Sequence, residues 1–310
     1  MSRLFGIIFT FILLVTTVHA QEFGQRWICA QEADSSSQWL FKKTWLPTRR
    51  IRWAKLAICS TGRYQVNFNE HRLSRDVLLP SVTPDDSILR EQVFDLSALL
   101  RNDSNTVAVW YSPIAGRFSD KQLSVTVYGR YADGRAFAHT TDDSWLCKPA
   151  WGSVDPSDPD YEAWDAKNYD PLWKGQITPV RGWSRCSYSQ DRTSFPLQAA
   201  SMTDENMKLV KVFDPESVEE RDTALYVHFP RVFYGWVRLT IRGARRGEEI
   251  YIDDYQYTCN GNMDEQACRR FTAVRQQDVV IVGDRHFRPS QIQSIEGVEI
   301  APIRRDPWEY

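Results

Sequence analysis

Apolar and polar residues alternate with period two in Tyr64-Gln65-Val66-Asn67-Phe68 and again in Val237-Arg238-Leu239-Thr240-Ile241. Such alternation turns one face of an extended chain toward a core and the other toward solvent, so both stretches predict strands. Runs rich in β-branched and aromatic residues add further strands at Ala54 to Cys59, Thr106 to Tyr111, Leu123 to Tyr128, Leu225 to Phe229, Trp236 to Ile241, Ile250 to Ile252 and Val279 to Val282. Between two of these runs, Ala132-Asp133-Gly134-Arg135 carries the Asp-Gly chemistry of a tight hairpin with positive φ at both central residues. Helical periodicity is confined to about one turn, Asp95 to Leu100, with Asp95 placed to cap it. The pattern predicts an all-β chain built from antiparallel sandwiches.

The first residues break this rhythm. Arg3 precedes an apolar run from Leu4 to Val18, which ends in Val18-His19-Ala20 with small residues at both positions that a signal peptidase checks. Residues 1–20 therefore read as a cleaved leader, and the mature chain is expected to be secreted or periplasmic. The apolar run falls short of the roughly 20 residues that span a bilayer, and no later window is apolar enough, so membrane insertion is not expected. Of 38 Lys and Arg, Arg3 lies in the leader, and 40 Asp and Glu face the remainder. A slightly acidic mature chain offers no broad basic field for nucleic acid.

Residues 149 to 180 interrupt the strands with five prolines, several aspartates and large aromatics, and read as a long ordered loop region. Residues 190–208, polar and without periodicity, read as a linker. The expected domains are thus a sandwich over 21–189 and a second over 209–310.

The order of motifs along the chain resembles the non-catalytic N-terminal β-sandwich domains of bacterial α-L-rhamnosidases. Trp27-Ile28 is followed by FKKTWLP from Phe41 to Pro47, ICSTGRYQVNFNEHRL from Ile58 to Leu73 and DLSALLRNDSNTVAVW from Asp95 to Trp110. Then come the Asp133-Gly134 hairpin, Asp143-Ser144-Trp145 and EAWDAKNYD from Glu162 to Asp170. In the second block, GWVRLTIRGARRGEEI from Gly235 to Ile250 is similar to the opening of the family's concanavalin-like sandwich. The resemblance implies two consecutive jelly-roll-like sandwiches and a setting of rhamnose-containing glycans. The family's catalytic carboxylates sit on a helical barrel beyond these sandwiches, so none is carried over. Ser60-Thr61-Gly62 replaces the acidic or amide residues that relatives often carry before the strand at Tyr64.

The residues themselves argue against an active site. Neighbours on a strand point to opposite faces, so neither Glu248-Glu249 nor Asp253-Asp254 converges on one glycosidic bond, and both pairs read as solvated strand ends. His71, His139, His228 and His286 are scattered, and no nucleophile elbow, phosphate loop or zinc-protease motif occurs. The better lead is Trp151, Tyr161, Trp164, Tyr169 and Trp173, interleaved with Asp155, Asp158, Asp160, Asp165 and Asp170. Flat aromatic faces suit the C–H faces of pyranoses, and carboxylates accept sugar hydroxyls. A glycan site is placed on Trp151, Trp164, Asp165, Tyr169 and Trp173; in the competing reading the aromatics plug the loop onto the sandwich. No metal site is expected: the aspartates offer oxygen ligands of the kind calcium takes, but they lack EF-hand spacing.

Two functions follow as expectations. One is a carbohydrate-binding or accessory protein, acting on a glycan or beside a glycoside hydrolase. The other is a truncated or split rhamnosidase that needs a separate barrel.

Six cysteines follow the leader, an even number with no CxxC pair. Cys259 and Cys268 bracket a polar stretch with Asn260-Gly261-Asn262 able to reverse the chain, and are expected to form a disulfide. Cys147–Cys186 and Cys29–Cys59 are further candidate pairings.

Overall fold

The computed structural model describes residues 26–30, 34–82, 88–117, 121–176, 182–189, 197–199 and 206–303. Among them the chain is β throughout apart from four single 3-10 turns, and no helix is long and apolar enough to cross a membrane. The leader, together with residues 190–196 and 200–205 of the expected linker, lies outside the described residues.

Two sheets face each other in the first sandwich. One runs Ser187–Tyr188, Ile28–Cys29, Gln122–Tyr131, Ile51–Ser60, Leu89–Asp95 and Leu197–Ala199 in spatial order, with Ala136–Thr140 added on Gln122–Tyr131. The other runs Leu146–Val154, Ser37–Trp45, Asn105–Ser112, Arg63–Phe68 and His71–Arg72. The alternation seen in the sequence puts Tyr64, Val66 and Phe68 into a core shared with Leu56, Ile58, Val107, Val109 and Tyr111. The strand Leu197–Ala199, inside the expected linker, pairs in parallel with Leu89–Asp95.

The Asp133-Gly134 hairpin forms, but not with two left-handed residues. Arg130 pairs with Ala136, and of the turn residues Gly134 alone has positive φ, at 86°. Asp133 instead uses its carboxylate, accepting from the Arg135 N–H at 3.1 Å. The predicted helical turn forms at Ser97–Leu99, but its N-cap is Leu96; Asp95, one residue earlier, accepts from the Ser97 N–H at 2.7 Å.

In the second block, two strands predicted separately are one strand of 19 residues, Ala224–Arg242. Pro230 lacks an N–H and cannot extend the ladder, and the register against Val274–Gly283 shifts between His228 and Phe233. The halves then take different partners: Ser217–Arg221 pairs with the first, Asp264–Ala267 and Ile292–Pro302 with the second. Leu225, Val227, Phe229, Phe233, Leu239 and Ile241 fill a second core.

Residues 149 to 176 are not one long loop: two strands run through them. Leu146–Val154 continues through Pro149 with a register irregularity before Ser153. The strand Glu162–Asp165 pairs antiparallel with Leu146–Val154 on one side and parallel with Tyr255–Thr258 on the other. One hydrogen-bonded ladder therefore passes from the first sandwich into the second.

Gly235 opens the GWVRL motif for a steric reason: a Cβ there would sit 1.9 Å from the Val298 carbonyl oxygen. Gly235→Ala must push the Ile292–Pro302 strand aside. It is expected to lower the unfolding free energy by about 1 to 3 kcal/mol, read from the urea midpoint, whereas an unchanged midpoint would show that the strands are less closely apposed.

Candidate functional site

Trp110, on the first sandwich, stands at the centre of the junction. Its ring meets Trp164 at 5.3 Å, Phe271 at 5.4 Å, Trp151 at 5.8 Å and Trp173 at 6.1 Å, each edge-to-face. The Arg270 guanidinium lies over the Trp164 ring, 3.3 Å from its centroid. Trp164 and Trp173 retain 5% and 2% exposure and belong to the second core. They present no ring face to a sugar, so the expected site divides: these two side chains are plugs. The reason is the pairing of Glu162–Asp165 with both sandwiches, which turns Trp164 inward.

Trp151 and Tyr169 remain half-buried at the edge of this cluster, 4.8 Å apart and edge-to-face. Beside them the structure places two lysines that sequence reasoning did not single out. Lys148 Nζ lies 5.4 Å from the Trp151 ring, 5.0 Å from the Trp183 ring and 4.0 Å from Asp170 Oδ2. Buried Lys42 lies 4.6 Å from the Trp183 ring and donates to the Gly175 carbonyl at 3.3 Å. Lys42 and Lys148 follow apolar pairs, Phe41 after Leu40 and Cys147 after Leu146, which was the available signal. Burial, reinforced by the Lys148 charge and opposed by Asp170, pushes the Lys42 amine down to about 8.

The aspartates of this segment build turns. Asp155 accepts from the Ser157 N–H and hydroxyl, Asp158 from the Asp160 N–H, Asp165 from the Lys167 N–H and Asp170 from the Leu172 N–H, all at 2.6–3.0 Å. Asp165 also sits 3.4 Å from its neighbour Lys167. Among the described residues no group of three or more His, Cys, Asp or Glu is arranged to hold a metal ion.

The paired carboxylates divide: Asp253 and Asp254 are exposed in the turn between Glu249–Ile252 and Tyr255–Thr258, as expected of solvated strand ends, whereas the other pair is drawn inward. Glu248 is buried and accepts from the Arg245 N–H at 2.8 Å. Glu249 accepts from the Tyr251 hydroxyl, and the exposed Asp253 from the Val280 N–H. Ser60 and Thr61 of the departed turn are buried, Thr61 Oγ1 lying 3.0 Å from the Tyr111 hydroxyl.

The expected Cys259–Cys268 disulfide is absent. Cys259 packs in the large second core, whereas Cys268 packs against the separate cluster of Leu78, Trp236, Ala273, Val298 and Ile300. Glu265 closes the intervening loop instead, accepting from the Asn260 and Gly261 N–H groups at 2.7 and 2.8 Å and from the Tyr257 hydroxyl at 2.9 Å. Cys147 and Cys186 lie in the same core, and the neighbouring Cys147 thiol together with burial raises the Cys186 thiol above its usual range. Cys29 instead contacts the Ser187 carbonyl at 3.7 Å, and Cys59 packs with Trp27 and Leu89.

Comparison with known proteins places this geometry. The family model for the alpha-L-rhamnosidase N-terminal domain matches residues 49–211. The chain belongs to this family. An alpha-L-rhamnosidase from Streptomyces avermitilis is 24% identical over 235 residues, 69% of this chain and 22% of the relative. Among solved structures, the alpha-L-rhamnosidase from Dictyoglumus thermophilum superposes with a TM-score of 0.79 at 18% identity, covering 90% of this chain and 36% of that one. The Aspergillus terreus enzyme gives 0.77 at 15% identity, covering 91% and 36%. The chain thus spans about a fifth of the curated relative and about a third of these solved chains, over the family's non-catalytic N-terminal region.

The Lys42 environment has a pH signature. An unfolded lysine titrates near 10.5 and the folded Lys42 near 8, so between these values the unfolded chain binds the extra proton and wild-type stability rises with pH. Lys42→Met abolishes this contribution. The stability difference, wild type minus Lys42→Met, is expected to stay flat below about pH 8 and to shift toward wild type from about pH 8 to 10.5. Urea titrations across that range check it; a difference that stays flat would show that the amine is not desolvated.

Proposed function

We propose that this chain is an exported carbohydrate-binding module, without hydrolase activity of its own, that works on or beside rhamnose-containing glycans. The observation that carries the reading is the half-buried Trp151–Tyr169 pair, flanked by Lys148 and Asp170, at the edge of a junction in a family of rhamnosidase N-terminal domains. An aromatic wall with one ammonium and one carboxylate at its rim supplies a C–H stacking face, a hydroxyl donor and a hydroxyl acceptor. The Streptomyces avermitilis enzyme was solved with L-rhamnose, which motivates rhamnosylated probes. Export rests on the leader-like residues 1–20, and a glycoside hydrolase is the natural companion for such a module.

A glycan array of rhamnose-containing oligosaccharides, followed by titration calorimetry on the hits, tests this. Trp151→Ala is expected to weaken binding by about 1 to 3 kcal/mol, with a smaller drop in melting temperature than truncation of the buried Trp164 gives. No rhamnose should be released from aryl rhamnosides. Binding unaffected by Trp151→Ala, or rhamnose release that survives repurification, would contradict the assignment.

A further inference from the structure

A second polar site adjoins this rim. The turn at 245–248 and the segment 284–286 line an open cleft of about 510 Å3 with Arg245, Arg246, Arg285, His286, Glu248 and Asp284. Arg245 Nη1 lies 3.2 Å from His286 Nδ1, and Arg285 Nε lies 3.1 Å from His286 Nε2. A neutral imidazole accepts at one nitrogen and an imidazolium at neither. At least one of the two guanidinium N–H groups aimed at this ring therefore has its acceptor elsewhere.

The carboxylates in the walls do not supply it. Glu248 Oε2 takes the Arg245 backbone N–H at 2.8 Å; Asp284 takes the backbone N–H groups of His286 and Glu249 at 2.8 and 3.4 Å. Arg246 donates to Asn168 Oδ1 at 3.2 Å, and the next residue along the chain is Tyr169. Three arginines thus line one cleft, two of them on the same imidazole, in a protein whose formal net charge is −2, so the cluster is no by-product of a basic surface. Planar guanidinium forks are matched by oxyanions, which they hold in paired, charge-assisted hydrogen bonds.

We propose that the Arg245–Arg246–Arg285 cleft is an oxyanion site that takes the carboxylate of a uronic acid, so that the glycan held is acidic. The proposal rests on the carbohydrate reading, because the Asn168–Tyr169 step joins the cleft to the Trp151–Tyr169 rim. A glycan stacked on the rim extends an acidic neighbouring residue over Arg246.

Titration calorimetry with an oligosaccharide of alternating rhamnose and galacturonate and with its fully methyl-esterified form, which share a skeleton and differ in charge, separates the two ideas. At low salt, wild type is expected to bind the acid about tenfold more tightly than the ester, and high salt should narrow that gap. Arg245→Ala with Arg285→Ala, both exposed positions, should abolish the preference and leave ester binding unchanged; Arg285→Gln alone should reduce it. Trp151→Ala should weaken both forms alike. Equal affinities of wild type for acid and ester, with both sensitive to Trp151→Ala, overturn the oxyanion site and leave the carbohydrate reading standing. Acid-selective binding that Trp151→Ala does not touch supports the oxyanion site and sinks the stacking rim. No binding of either form overturns the proposal, as does a preference that survives the double arginine substitution.

Discussion

The buried Glu162 carboxylate is the fixed point of this molecule. Its oxygens accept the backbone N–H groups of Arg270, Phe271 and Thr272 at 2.9–3.2 Å and the Thr272 hydroxyl at 2.7 Å. A carboxylate taken out of water costs several kcal/mol unless its lone pairs are met, and here one short segment of the second block meets them. Arg269 returns the tie by donating to Thr272 Oγ1 at 2.9 Å and to the Asp160 carbonyl. Arg63, from the first sandwich, donates to the Phe271 carbonyl.

Everything described at the junction follows from that anchorage. With Glu162 held, the Glu162–Asp165 strand lies between Leu146–Val154 and Tyr255–Thr258, and Trp164 is driven against Trp110. Trp173 completes the cluster from a turn capped by Asp170, and Trp151 and Tyr169 are left partly open at its edge. The rim that could meet a ligand is thus a remainder of the packing problem, and its rigidity comes from the plugs behind it. The cost falls on Lys42, an ammonium enclosed by the same segment.

Much of the sandwich architecture was legible because period-two alternation reports directly on one-sided burial, as in Tyr64, Val66 and Phe68. The junction was not, because Pro149 and five aspartates resemble loop chemistry when read locally. Those aspartates do cap turns, but the backbone between them pairs with strands distant in sequence, a long-range fact that no local signal carries. The aromatic cluster was visible as composition, whereas the difference between Trp164 and Trp151 depends on which strand face each occupies. The even cysteine count misled for a related reason: chain reversal near Asn260-Gly261 is real, yet Cys259 and Cys268 face different cores and Glu265 performs the closure. Pro230, by contrast, hid the continuity of a single strand by interrupting its apolar run.

If Glu162 couples the sandwiches, they should melt together. Differential scanning calorimetry of wild type is expected to give one transition with equal calorimetric and van't Hoff enthalpies. Glu162→Gln, which turns an amide donor toward the same N–H groups, should split it into two. Two transitions in wild type, or an unaltered single transition in Glu162→Gln, would contradict the account.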